Sequence, residues 1–225
     1  MKIRKIQYTI DFVHIITFKD EYKAALLPYF GLENVGYTIQ NENSIHENIK
    51  LVFNNETMVI FMRKEIMTVI YEGEILDIKR STGVLKIFFD ILEKIKEFKG
   101  FYGIHRHSLV VNAVNIETKE KIEQVLNQNP YLVNNPFLKV NEFACIYEFE
   151  KDQYQCKFNF GNYNEKDILK YDLTPFNTEY NKDLIKGVGL MCNLELSEKV
   201  TSSSFSKFKT MLTDSEQIIS TYNLY

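Results

Sequence analysis

The chain has 225 residues, enough for one large domain or two small ones and for a sizeable buried core. A hydrophobic content of 45%, with 17 Phe and 14 Tyr, predicts such a core, and 27 basic against 30 acidic residues leave a formal charge of −3 that excludes a general attraction to phosphate backbones. Three widely spaced cysteines make neither a disulfide framework nor a zinc-ligand pair, no run approaches the roughly 18 apolar residues of a membrane span, and no signal-peptide pattern opens the chain, so a reducing cytoplasm is expected.

In chain order, Ile6 to Phe18 alternates Ile6, Tyr8, Ile10 and Phe12 with Gln7, Thr9 and Asp11, which predicts a half-buried strand. Asp20 is placed to cap a short helix limited by Pro28 and Gly31. Short strands follow at 35–40, 48–53, 57–63 and 66–72, with turns at Asn54-Asn55 and at Arg63-Lys64-Glu65. From Val84 the residues Leu85, Ile87, Phe88, Ile91, Leu92, Ile95 and Phe98 recur every three or four positions, the stripe of a helix over 82–99. Ser81 or Thr82 is its expected cap and Gly100 its expected left-handed stop. The order then begins again: a strand over 101–116, a short helix capped by Thr118, a hairpin turning at 150–152, a surface loop over 161–181, a strand over 184–196 loosened by Gly187 and Gly189, and a last helix over 203–221.

Residues 1–100 and 101–225 therefore read as two β-α-β(3–4)-α units in one cooperative α+β domain, sharing a curved antiparallel sheet with the long helices on one face. That element order resembles the duplicated saddle of the TATA-binding protein group, and the resemblance covers the whole chain as order alone, with no shared motif from which binding residues carry over. The block Tyr102-Gly103-Ile104-His105-Arg106-His107, where a helix leads into a strand near mid-chain, and the late strand Leu190 to Leu196 are similar to a sporadically distributed family of uncharacterised bacterial proteins, a resemblance that implies no activity.

Chemistry-bearing residues are sparse. His105 and His107, two apart on a strand, are expected on one face about 6–7 Å apart, either as a pair doing acid–base or metal work or as ordinary polar residues of a sheet face. No carboxylate follows a few positions on, since Val110, Val111 and Asn112 stand there, and two imidazoles do not complete a metal site, so no metal and no cofactor is expected. Arg106 would point to the opposite face, toward an acidic neighbour or an interface. His14 reads as a core or rim histidine, His46 as exposed, and Cys145, Cys156 and Cys192 as small buried hydrophobes. Gly187-Val188-Gly189 lacks the third glycine and following helix of a phosphate loop.

The remaining surface is the sheet face away from the helices, where Gln7, Thr9, Gln153, Gln155, Lys157 and Asn159 are expected to stand as hydrogen-bonding groups on rigid strands. The expectation is a non-enzymatic binding protein of a phage–host conflict, a defence component or its inhibitor, meeting a protein partner or nucleic acid through that face. The alternative is a nuclease or other hydrolase built on His105 and His107.

Overall fold

The computed structural model describes residues 2–13, 18–29, 32, 35–42, 44–53, 58–73, 82–128, 144–167 and 186–221. Nine strands form one antiparallel sheet: β1 (Lys2–Phe12), β2 (Val35–Gln40), β3 (Asn48–Phe53), β4 (Met58–Arg63), β5 (Ile66–Glu72), β6 (Ile104–Ile116), β7 (Ala144–Lys151), β8 (Tyr154–Asn164) and β9 (Val188–Lys199). Their order across the sheet is β2-β3-β4-β5-β1-β6-β9-β8-β7, which puts β1 and β6 together inside the sheet, each with its own meander on its outer side. Four α-helices complete the described fold: α1 (Phe18–Leu26), α2 (Thr82–Lys96), α3 (Lys119–Gln128) and α4 (Phe205–Thr221). No helix among the described residues is long and apolar enough to cross a membrane.

The alternating strands put Ile6, Tyr8, Ile10 and Phe12 of β1 on the helix side, with Leu109, Val111 and Ala113 of β6 and Leu194 and Leu196 of β9 beside them. These residues form one hydrophobic cluster with Tyr22 and Leu26 of α1, the stripe of α2 and Phe208, Met211 and Leu212 of α4. Phe88 of α2 is fully buried, a burial that stabilises by about 1.5–3 kcal/mol. The two long helices meet above β1: the Tyr8 ring lies 6.1 Å from those of Phe88 and Phe89 and 5.0 Å from Phe208, and Phe89 lies 5.3 Å from Phe205.

Several boundaries differ from the sequence expectation. β1 ends at Phe12 and Phe18 opens α1, so Asp20 lies inside that helix. α2 ends at Lys96 and closes through tight turns, with Phe98 N–H donating to the Ile95 carbonyl and Phe101 N–H to that of Phe98. Gly100 is not left-handed; the positive φ of +124° falls at Gly103, immediately before β6. β8 continues to Asn164 because its far end pairs with Val188 to Met191 of β9, so residues 161–164 of the expected loop are strand. Gly189 does not loosen β9: a Cβ there would overlap the Asn115 carbonyl oxygen, so the close approach of β9 to β6 requires glycine. Thr118 caps α3 as expected, accepting from Lys121 N–H at 3.3 Å. The expected turn at Asn54-Asn55, His14, Ser81 and the stretch 168–185 lie outside the described residues.

Candidate functional site

The structure separates the two histidines of the Tyr102 to His107 block. β6 pairs with β1 in continuous register from Val111 to Arg106, and then the register shifts between Asp11↔Arg106 and Phe12↔Ile104, a bulge that takes His105 out of the ladder. Ile104 and His107 both stay on the helix side, His105 is exposed, and His107 is fully buried. The expectation that the two imidazoles share one face is therefore corrected: one extra residue breaks the alternation on which it rests.

His107 belongs to a buried polar network. Its Nε2 lies 3.0 Å from Glu198 Oε2 on β9, its Nδ1 lies 2.9 Å from the Tyr8 hydroxyl, and that hydroxyl lies 2.5 Å from Ser203 Oγ just before α4. An ionised carboxylate only accepts, so Nε2 donates to Glu198 and Nδ1 accepts from Tyr8; Tyr8 oxygen then accepts from Ser203. Burial lowers the pKa of His107, opposed by Glu198 and aided by Lys207, and burial raises that of Tyr8, so the neutral forms are favoured. The order carboxylate, imidazole, hydroxyl is that of a nucleophilic site, but Ser203 is 1% exposed and turned to Tyr8, with its Oγ 3.4 Å from Nδ1. No substrate reaches that hydroxyl while α4 is seated. The arrangement fixes the start of α4 on the sheet, helped by Lys96 Nζ, which donates to the Ser203 carbonyl at 3.2 Å.

On the other side of the sheet, register and alternation place most of the expected binding residues on one face. Two rows cross all nine strands. One runs Thr38, Lys50, Phe61, Thr68, Thr9, Ser108, Ser197, Gln155, Glu150; the next runs Gly36, Val52, Val59, Ile70, Gln7, Val110, Glu195, Lys157, Glu148. A third row carries an amide ladder: Asn193 donates to Asn112 Oδ1 at 2.6 Å, and Asn159 donates to Asn193 Oδ1 at 3.4 Å. Thr9 and Thr68 hydroxyls lie 3.1 Å apart across β1 and β5. Gln153 is not on the face: it sits in the two-residue turn with Asp152, whose φ is +53°.

The face is not evenly open. Lys5, Thr9, Thr68, Ser108 and Asn112 on its central strands are all under 9% exposed, whereas Gln155 and Lys157 on β8 are exposed and Asn159, Asn193, Glu195 and Ser197 are half-buried. Accessible polar groups thus lie toward both edges of the sheet, on the β8–β9 wing and, as Thr38 and Gln40, on β2. Two exposed cations of the face meet anions: Arg106 of β6 has its Nε 3.3 Å from Asp11 and its Nη2 3.9 Å from Glu195, and Lys157 of β8 lies 3.3 Å from Glu148. On the far wing Lys50 lies 5.4 Å from the Phe61 ring centroid. Sequence alone marked Gln155, Lys157 and Asn159 but not Ser108, Thr68, Asn112 or Asn193, which share the face only through pairing of distant strands.

Among the described residues no group of three or more His, Cys, Asp or Glu side chains is placed to hold a metal ion. The cysteines are free, and burial pushes the Cys192 thiol up to about 12, which keeps it from acting as a thiolate.

No family model matches the chain, and no curated protein matches it. Among solved structures it is similar to a rolling circle replication initiator protein from Geobacillus stearothermophilus, at 8% identity over 88% of this chain and 73% of that one. The TM-score is 0.28, too low to carry any inference about fold or activity.

Proposed function

We propose that the protein is a non-enzymatic binding module that engages a protein partner through the β8–β9 wing of the sheet face opposite α2 and α4. The observation that carries this is the β8–β9 end of the cross-sheet rows, where Gln155 and Lys157 are exposed and stand with half-buried Asn159 and Ser197 as a denser set of donors and acceptors than the β2 end carries. A phosphate backbone demands cations free to replace its counterions. On this face Arg106 and Lys157 already face carboxylates, which favours a partner with mixed donors and acceptors over nucleic acid. The same proposal places that partner in a conflict between a phage and its host.

The duplicated, saddle-like organisation is part of the same proposal. Read outward from the β1–β6 pair, one half runs β1-β5-β4-β3-β2 and the other β6-β9-β8-β7, each starting from its first strand and returning through its meander in reverse order. A hydrolase using His105 with His107 is disfavoured, because the bulge and the burial of His107 keep the two imidazoles from one substrate.

Affinity capture from cells of the native host tests the binding function. The wild type is expected to retain a protein that the double variant Gln155→Glu with Lys157→Glu loses, while Lys209→Glu on the exposed side of α4 keeps it. Equal retention by the wing variant, or capture of nucleic acid alone, would overturn the proposal.

A further inference from the structure

Separate from the β8–β9 wing, a cleft of about 710 Å³ lies at the ends of β1, β4, β5 and β6 against Asn41 and Ile45 to Glu47. Its volume falls within the roughly 300–1,000 Å³ of small-molecule sites. Phe12, Ile45 and Ile66 give it apolar walls, and Arg63, His46 and His105 give it hydrogen-bond donors. His46 and His105 both line it although they are far apart in sequence, and His105 is the residue that the β6 bulge removes from the ladder.

The charges of the cleft are unequally matched. Its carboxylates have basic partners: Asp11 faces Arg106 at 3.3 Å, Glu47 faces Lys23 at 3.2 Å, and Glu65 faces Lys64 at 3.6 Å. Arg63, at the end of β4, has no carboxylate partner among the described residues. A planar guanidinium fork left over in a partly apolar cleft matches a carboxylate better than any neutral group, and an imidazole offers at least one N–H donor in either protonation state. We infer that this cleft binds a small organic carboxylate, with Arg63 as its ion-pair partner, His46 and His105 as flanking donors, and Phe12 and Ile66 against its apolar body.

Benzoate and its neutral isostere benzamide are suitable probes, titrated into the full chain while the imidazole proton resonances, assigned with His46→Gln and His105→Gln, are followed by NMR. Benzoate is expected to shift the His46 and His105 resonances saturably and leave buried His107 unmoved. Benzamide and the Arg63→Gln variant are expected to bind about tenfold or more weakly, the loss of a charge-assisted pair. Arg63 is exposed, so its substitution leaves the fold intact, and the benzoate–benzamide comparison on wild type needs no variant at all. No saturable shift, equal binding of benzamide, or unchanged benzoate affinity in Arg63→Gln would each overturn the inference. None of these outcomes bears on the β8–β9 wing, whose variants are expected to bind benzoate like wild type.

Discussion

The two sides of the central strands use polar residues in opposite ways. On the helix side of β1, β6 and β9 the polar groups are few and specific: Tyr8, His107, Glu198 and Ser203 form a single chain in which each has its own partner. On the far side they are many and repetitive, with hydroxyls and amides facing one another along rows. Removing one member of a chain strands a buried neighbour, whereas a row offers substitutes nearby. The helix side is therefore built for a fixed structure, and the far side, where it opens toward β8, tolerates exchange of partners.

The largest effect expected is from breaking the helix side outright. Phe88→Asp buries an unpaired charge against Tyr8 of β1, at a cost of several kcal/mol against a typical total stability of roughly 5–15. Circular dichroism should show the whole chain unfolded, not one half. A folded remnant with half the native signal would show that 1–100 and 101–225 are independent.

Next comes Tyr8→Phe, which keeps the ring among Phe88, Phe89 and Phe208 and removes only the hydroxyl shared by His107 and Ser203. Urea denaturation should show a loss of about 1–3 kcal/mol. On the far side, Thr9→Val combined with Thr68→Val removes both members of one pair and should cost less than about 1 kcal/mol, because Gln7, which donates to Thr9 at 3.4 Å, is only half-buried and can turn to water. A double-variant cost equal to that of Tyr8→Phe would erase the distinction between the two sides.

The same contrast has a pH signature. Burial holds the folded-state pKa of His107 below its ordinary value of about 6.5, so the unfolded chain binds the proton more readily. Its contribution to stability is present above pH 6.5 and is lost as pH falls from there through the lower folded value. Urea midpoints measured from pH 8 down to pH 5 should decline more steeply in wild type than in His107→Gln. Parallel curves would show that His107 does not titrate differently in the two states.

Local pattern made much of the fold legible. β2, β3 and β5 fall at their expected limits and β4 within one residue, because each is bounded by its own turn chemistry and apolar alternation. In β1 the sequence alternation continues through His14, Ile16 and Phe18, but the paired strand ends with the register of its neighbours, at Asp11↔Ile66 and Phe12↔Ile104. The polar end of β8 has the composition of a loop, because its strand character comes from pairing with β9. The bulge at His105 is likewise a property of two strands and has no signature in Ile104-His105-Arg106-His107 itself. His107 lies 99 residues from Tyr8 and 96 from Ser203, so the buried network was invisible for the same reason, although the apolar alternation around Tyr8 already placed that phenol in the core.

The most direct test of the proposed division between a structural and a contacting side is site-specific photocrosslinking in native cells. A photoreactive residue replaces exposed Lys157 on the β8–β9 wing, half-buried Lys50 on the far wing or exposed Lys209 of α4, none of which belongs to the hydrophobic core. A protein adduct from position 157, absent from position 209, is the predicted result; adducts from position 209 alone, or from none of the three, would contradict it.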